Sequence, residues 1–325
     1  FITEHRDSVE IWSADTALGT LLSKGITPDM VSILETQSWN HLDFHDSHDT
    51  GIAIMADITS YPGSLNMTGG IVSFYSSAFA KLSLLKRLEI ACPELQRIPA
   101  LGSVGLSTVQ LALNRSEGPI FLAGLDFAYS PGKTHARGSS IHRWQMSNII
   151  RTNPTPGWTD TMRRPRLKAK GYGQQECSTD MILKGYAELF RDRFSASGRL
   201  YLLTGGLDIG VPITDSLEAR RIIQEHRAAK NDSPGTESDA VDSRAMSSFL
   251  EHEIMLLSRS IHAWESYSDG NEDASMVVQA LEALDHVYCD FPDEPPLPKA
   301  DDGFLFRAIR RCRELRRYIE RVCEQ

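Results

Sequence analysis

No run of apolar residues in the 325-residue chain approaches the roughly 20 that a membrane-spanning helix needs. Cysteine is scarce and scattered, at Cys92, Cys177, Cys289, Cys312 and Cys323. No two have C-x-x-C spacing, so neither a zinc site nor a disulfide framework is indicated, and a reduced, cytoplasmic setting is expected. Positive charge is in deficit: 34 Lys and Arg stand against 43 Asp and Glu, a formal charge of −9. That excludes a general nucleic-acid binder and leaves room for a local basic patch. An initiator methionine is also lacking. The chain starts at Phe1, almost directly on a strand pattern, so natural sequence is expected upstream. His41, His45 and His48 stand among Asp43, Asp46 and Asp49, but the spacing fits no standard metal site. A solvated loop is expected there, and no metal is assigned.

What the chain does have is concentrated between Ser103 and His135. Val104 to Asn114 carries a helical apolar pattern, with Ser103 in place as N-cap. Pro119 to Ala123 is an apolar run of strand length, ending in Gly124-Leu125-Asp126-Phe127-Ala128-Tyr129. A polar loop through Pro131-Gly132 then delivers Lys133-Thr134-His135. Open α/β sheets bind ligands outside the carboxyl ends of their strands, and a helix start offers free N–H groups to a phosphate. An acid, a phenol, a lysine and a histidine just past a buried strand fit such a site. The plainer account is that Asp126 caps a loop and His135 lies on the surface.

The flanks read as more of the same fold. Ser8 to Ser13 reads as a strand, Ala14 to Leu22 as a helix and Met30 to Leu34 as a strand, which makes a βαβ unit. Asp15 and Glu35 then fall at two strand ends on one edge of a parallel sheet, although Asp15 also suits a helix cap. Gly51 to Ile58 is a third strand, and Ser60-Tyr61-Pro62-Gly63 a turn. Ser139 to Lys170 is polar, basic and irregular, the composition of a long lid or binding loop or of a solvated one. Ser178 or Thr179 caps a helix running to Phe194. Leu200 to Leu203 is a strand ending in Thr204-Gly205-Gly206, where glycines let backbone approach a ligand or simply turn tightly. Residues 231–239 have linker composition, and amphipathic helices follow at Ala245–Tyr267, Ala274–Val287 and Phe304–Val322. The expected organisation is an α/β, Rossmann-like, mostly parallel sheet flanked by helices in residues 1–214, then a smaller all-helical region in 215–325. The last helix carries Arg307, Arg310, Arg311, Arg313, Arg316 and Arg317, a solvated face or a docking surface for a protein.

GSVGLSTVQLAL followed by PIFLAGLDFAYSPGKTHARG resembles the core of the motility-associated factor glycosyltransferases, which share the 6-hydroxymethylpterin diphosphokinase MptE-like domain. ADTAL…LLSKGITPDMVSILE and the Thr204–Gly206 turn are similar to the same family, and the stretch is distantly similar to bacterial CMP-sugar sialyltransferases. The resemblance covers about Val9 to Val211. It implies transfer of a nonulosonic-acid-type sugar from a CMP-sugar to Ser or Thr of flagellin, with no tightly bound cofactor. The implied nucleotide site is Asp15, Glu35, Ser103, Gly105, Gly124, Asp126, Tyr129, Lys133, Thr134, Thr204, Gly205 and Gly206. Ser103, Gly105, Gly124, Asp126 and Thr204–Gly206 are expected to meet at the carboxyl edge of one parallel sheet. Two departures stand out. The family's glycine-rich loop after the first strand is not visible, and the histidine that serves as base before this helix start in the related sialyltransferases is replaced by Gln174-Gln175-Glu176-Cys177, ahead of Ser178-Thr179. His135 is therefore assigned to the leaving phosphate, and the base to Glu176 or to a residue outside this chain. The alternatives are a pterin- or thiamine-type pyrophosphokinase, against which the single acid of Ser32-Ile33-Leu34-Glu35-Thr36 counts, and a non-catalytic module that binds a flagellar protein.

Overall fold

Short parallel strands, each followed by a return segment, build the N-terminal half of the computed structural model, which describes residues 2–130, 132–163, 165–229, 243–291, 298 and 300–324. In order these are β1 (Trp12–Ala14), α1 (Asp15–Leu22), β2 (Met30–Ile33), β3 (Ala53–Asp57), α2 (Pro62–Leu65) and β4 (Val72–Ser77). After α3 (Ser83–Ala91), β5 (Gln96–Ile98) completes a five-stranded sheet in the order β1-β2-β3-β4-β5. β1 to β4 pair in parallel, Ala14 opposite Ser32 and Ile33 opposite Ala56. Both faces are covered, as parallel sheets require. Val31, Ile33, Ile54 and Ala56 pack on Leu18 of α1 and on Phe44. Met55 and Tyr75 face the other way, onto Leu111 of α4 (Val104–Arg115).

The chain continues through β6 (Ile120–Leu122), α5 (Ser140–Ser147), α6 (Pro156–Arg163), β7 (Leu167–Lys170), β8 (Glu176–Thr179), α7 (Met181–Phe194), β9 (Leu200–Leu202) and α8 (Ser216–Ala229). β6 and β9 form a parallel two-stranded sheet of their own, and β7 and β8 an antiparallel pair. Leu106 and Val109 of α4, Phe190 and Phe194 of α7, and Leu200 and Leu202 share one core around β6 and β9. α4 thus packs on both parallel sheets, with Leu111 turned to one and Leu106 to the other. Burying a leucine of this kind contributes about 2 kcal/mol.

The chain divides into two compact units, Phe1–Phe79 with Arg97–Gly235, and Ala80–Gln96 with Thr236–Gln325. α8 therefore lies in the first unit and α3 in the second. The second unit is helical: α9 (Ser243–Ser268), α10 (Ala274–Leu281) and α11 (Asp302–Cys323) enclose Leu257, Val277, Leu281, Phe304 and Ile309. α3 joins them through Arg87, whose guanidinium binds both carboxylate oxygens of the buried Glu253 at 2.5 and 2.8 Å. Its third nitrogen donates to the Ala283 carbonyl. The α11 arginines are mostly paired, Arg311 with Asp290, Arg313 with Glu265 and Arg316 with Glu320. No helix among the described residues is long and apolar enough to cross a membrane. The linker at 231–239 and Pro292, Pro295 and Pro296 lie outside the described residues.

Four local expectations need correction. The first strand is only Trp12–Ala14, and Thr3–Ser8 is a 3-10 turn. Asp29 accepts the Ile11 N–H at 2.7 Å and binds Arg6, so a side chain takes the donor that a longer ladder would use. Ser60–Gly63 leads into the short helix α2, with Pro62 in its first turn. Ser139–Lys170 is not an irregular loop: it contains α5, α6 and β7. Its polar composition hid two short helices, the first capped by Ser139 accepting from the His142 N–H. The cap of α7 is Asp180, accepting from Leu183 N–H at 2.9 Å, because Ser178 and Thr179 are drawn into β8.

Candidate functional site

At the carboxyl ends of β6 and β9 two loops lock together. The Thr204 hydroxyl donates to Asp126 Oδ1 at 3.2 Å and accepts the Gly124 N–H at 3.2 Å. The Leu207 N–H donates to the Asp126 carbonyl at 2.8 Å. Gly206 has φ +148°, and a Cβ there would lie 2.5 Å from the Asp126 backbone, so this approach requires glycine. By contrast, a Cβ on Gly124 or Gly205 would meet open space, which leaves bare backbone available to a ligand. Partial burial pushes the Asp126 carboxyl up from its usual range, and the Thr204 hydrogen bond opposes the shift.

The start of α4 abuts these loops. A Cβ on Gly105 would lie 2.6 Å from Leu125 Cδ2. Ser103 occupies the N-cap position in extended conformation, but its hydroxyl makes no capping bond. Gly102, just before that position, has φ +68°, and its carbonyl accepts the Tyr186 hydroxyl at 2.6 Å. Gly105, Gly124, Asp126, Thr204 and Gly206 are therefore brought together, on the two-stranded sheet.

The following loop is tied to β8 and to the α5–α6 segment. Tyr129 donates its N–H to the Ser178 carbonyl at 2.9 Å and its hydroxyl to the Thr179 carbonyl at 3.3 Å. Lys133 and His135 are exposed, and Thr134 is half-buried. A His135 ring nitrogen lies 3.1 Å from the Thr134 hydroxyl, which Gln145 of α5 also reaches at 3.4 Å. Glu176, at the start of β8, is exposed and paired with Lys168 at 2.8 Å.

Asp15 and Glu35 belong to the other sheet, at the carboxyl edge of β1 and β2. Glu35 is exposed, and its carboxylate accepts the Gln37 N–H. Asp15 is only 2% exposed. It opens α1 without capping it: one oxygen accepts from Thr16 N–H and the other from Asn40 Nδ2, both at 2.7 Å. Burial first, and the charge of Asp43 second, push its carboxyl up to about 7. The Asn40 amide oxygen has no partner among the described residues. Around His41–Asp49 the three histidines, Asp46 and Asp49 are exposed as expected, while Asn40 and Phe44 are buried and Asp43 is half-buried. Asp43 accepts from Ser140 and Asp46 pairs with Arg143, so α5 is fastened over this edge. That Asn40 meets Asp15, and Ser140 and Arg143 meet Asp43 and Asp46, is not written locally in the sequence, since the partners are 25 and 97 residues apart. No group of three or more His, Cys, Asp or Glu among the described residues is arranged to hold a metal ion.

Comparison with known proteins bears on this geometry. Residues 1–132 match the family model described as 6-hydroxymethylpterin diphosphokinase MptE-like. A protein of Treponema pallidum (strain Nichols), described as uncharacterized, is 34% identical over 142 residues, 43% of this chain and 25% of that protein. The structure of MAf glycosyltransferase from Magnetospirillum magneticum AMB-1 matches with a TM-score of 0.53 and 15% identity, over 96% of this chain and 46% of that one. The chain thus spans a quarter of the first relative's length and under half of the second's. Residues 1–132 are an MptE-like segment, in keeping with the resemblance carried by Ser103–His135, and the likeness to the MAf enzyme is one of fold.

Proposed function

We propose that this chain, MptE-like in residues 1–132, is a glycosyltransferase that moves a sugar of nonulosonic-acid type from a CMP-sugar to a Ser or Thr hydroxyl of flagellin. The observation that carries the reading is the Thr204–Asp126 lock. It sets the bare backbone of Gly124 and Gly205 beside the first turn of α4, a place suited to a nucleotide and its phosphate. The fold likeness to the MAf glycosyltransferase supports the reaction class. The donor enters as a substrate, and no resident cofactor is part of this reading.

In the transfer, the anomeric C–O bond to the phosphate breaks and its electron pair stays on the phosphate oxygen. The acceptor oxygen forms the new bond and loses its proton to a base. Lys133, Thr134 and His135 are exposed or half-buried on one loop and are assigned to the developing phosphate charge, with Tyr129 holding the loop to β8. Removing one such donor typically costs about 3 kcal/mol of transition-state stabilisation. Glu176 is assigned as base, and Lys168 must release it before it can accept a proton. A thermal-shift panel of CMP, CTP, ATP and GTP tests the nucleotide. Cytidine nucleotides are expected to stabilise the protein most, and stabilisation by Mg-ATP alone would replace this reading with a pyrophosphokinase. His135→Ala and Glu176→Gln, assayed with CMP-sugar and flagellin, test the roles. Wild-type turnover in both variants with CMP still bound would remove them.

A further inference from the structure

Six large apolar side chains within nineteen residues stand exposed on α5, α6 and the turn between them: Trp144, Met146, Ile149, Ile150, Trp158 and Met162. Trp144 is 54% exposed, Ile150 58% and Met162 68%. Isolated surface hydrophobics need no explanation, but a cluster of this density marks an interaction surface. The same stretch of sequence is rich in positive charge, of which Arg143 is paired with Asp46 and Lys168 with Glu176. Residues 131–175 hold nine Lys and Arg and a single acid, Asp160, in a chain whose net charge is −9. Arg151 and Arg163 border the apolar side chains and are exposed.

We propose that α5 and α6 form the docking surface for the acceptor polypeptide, and that it takes a segment with carboxylates around apolar anchors. The proposal rests on the transferase reading and adds its partner's chemistry. Two observations favour a polypeptide over an anionic membrane. The surface is fastened to the loop that carries the candidate phosphate groups: Gln145 reaches Thr134, and the Gly132 N–H donates to the Thr161 hydroxyl at 3.3 Å. A chain docked here is held beside Lys133–His135, where a hydroxyl has to be delivered, whereas a flat lipid surface would cover that loop. α5 itself is also held in place, through Ser140 on Asp43 and Arg143 on Asp46. Apolar anchors in such a surface supply affinity, and the surrounding charge supplies encounter rate and orientation.

The test uses the whole chain and three probes: an amphipathic peptide of leucine and glutamate, the same peptide with lysine for glutamate, and vesicles containing phosphatidylserine. Two variants accompany the wild type, Trp144→Ala with Ile150→Ser, and Arg151→Glu with Arg163→Glu. Wild type is expected to bind the glutamate peptide about tenfold more tightly than the lysine peptide, and both variants to lose about tenfold. Stabilisation by CMP, followed in every sample, reports an intact fold and nucleotide site. Equal binding of the two peptides, wild-type affinity in both variants, or vesicles displacing the glutamate peptide would each overturn the proposal. If the expected peptide pattern appears but CMP does not stabilise even the wild type, the transferase reading falls and the docking surface stands.

Discussion

Thr204 and Asp126 lie 78 residues apart and share a hydroxyl–carboxylate hydrogen bond of 3.2 Å, with the Gly124 N–H closing on the same hydroxyl. Thr204→Val keeps the shape and removes both bonds. Stability should fall by about 1 kcal/mol, because the site is partly open to water. If this lock shapes the nucleotide site, CMP affinity measured by calorimetry should fall by about tenfold, and unchanged affinity would detach the lock from binding.

The Asp15–Asn40 pair predicts an inverted pH dependence. The buried Asp15 carboxyl is pushed up to about 7, against about 3.9 in an unfolded chain. Between those values the unfolded chain gives up the proton while the folded one keeps it. The contribution of Asp15 to stability is therefore greatest near pH 4, falls as pH rises to about 7, and levels off above. Asp15→Asn retains an acceptor for the Thr16 N–H, and Asn40 can turn its unpartnered oxygen to meet the new amide. Denaturant midpoints at pH 5 and pH 8 should show the variant gaining on wild type at the higher pH, by up to about 3 kcal/mol. Parallel curves would refute the assignment.

Gly206→Ala places a methyl group 2.5 Å from the Asp126 backbone, with φ at +148°. Neither loop can yield without breaking the Leu207–Asp126 bond. A loss of more than about 2 kcal/mol is expected from overpacking and strain together, read by urea unfolding. Gly205→Ala, with open space around its Cβ, is the control and should cost far less.

In the helical unit, Arg87→Met leaves the Glu253 carboxylate buried and unpaired. About 3–5 kcal/mol should be lost. The double variant Arg87→Met with Glu253→Leu should recover much of that loss, since a matched apolar pair no longer carries a buried charge. A double variant as unstable as the single one would show that packing, not charge, sets the cost.

The parts of this fold that were legible in the sequence are those written in short-range periodicity. The runs at Met30–Ile33, Ile120–Leu122 and Leu200–Leu202 could be placed because strand burial leaves a continuous apolar mark. α4 was equally plain, with Gly102 and Ser103 before it. What escaped was decided at a distance. Ser178 and Thr179 look like helix caps until β7 recruits them into a ladder. Within the largely exposed stretch His41–Asp49, nothing marks Asp43 and Asp46 as the two that Ser140 and Arg143 meet from 97 residues downstream. Asp126 and Thr204 could be nominated singly from their positions after strands, but nothing in either stretch says that one hydrogen bond joins them.

The capture of α3 by a unit completed much later in the chain sets a schedule for biosynthesis. Ser83 waits for Asp285, which accepts its backbone N–H and its hydroxyl from 202 positions further on. At the usual pace of about 5–20 residues per second, that interval is on the order of 10–40 s on the ribosome. During it Leu85 and Arg87 have left the exit tunnel with their partners not yet made. The emerging chain must shield this helix while the sheets on either side of it in sequence are already able to form, and a chaperone that recognises apolar helices has its longest opportunity there.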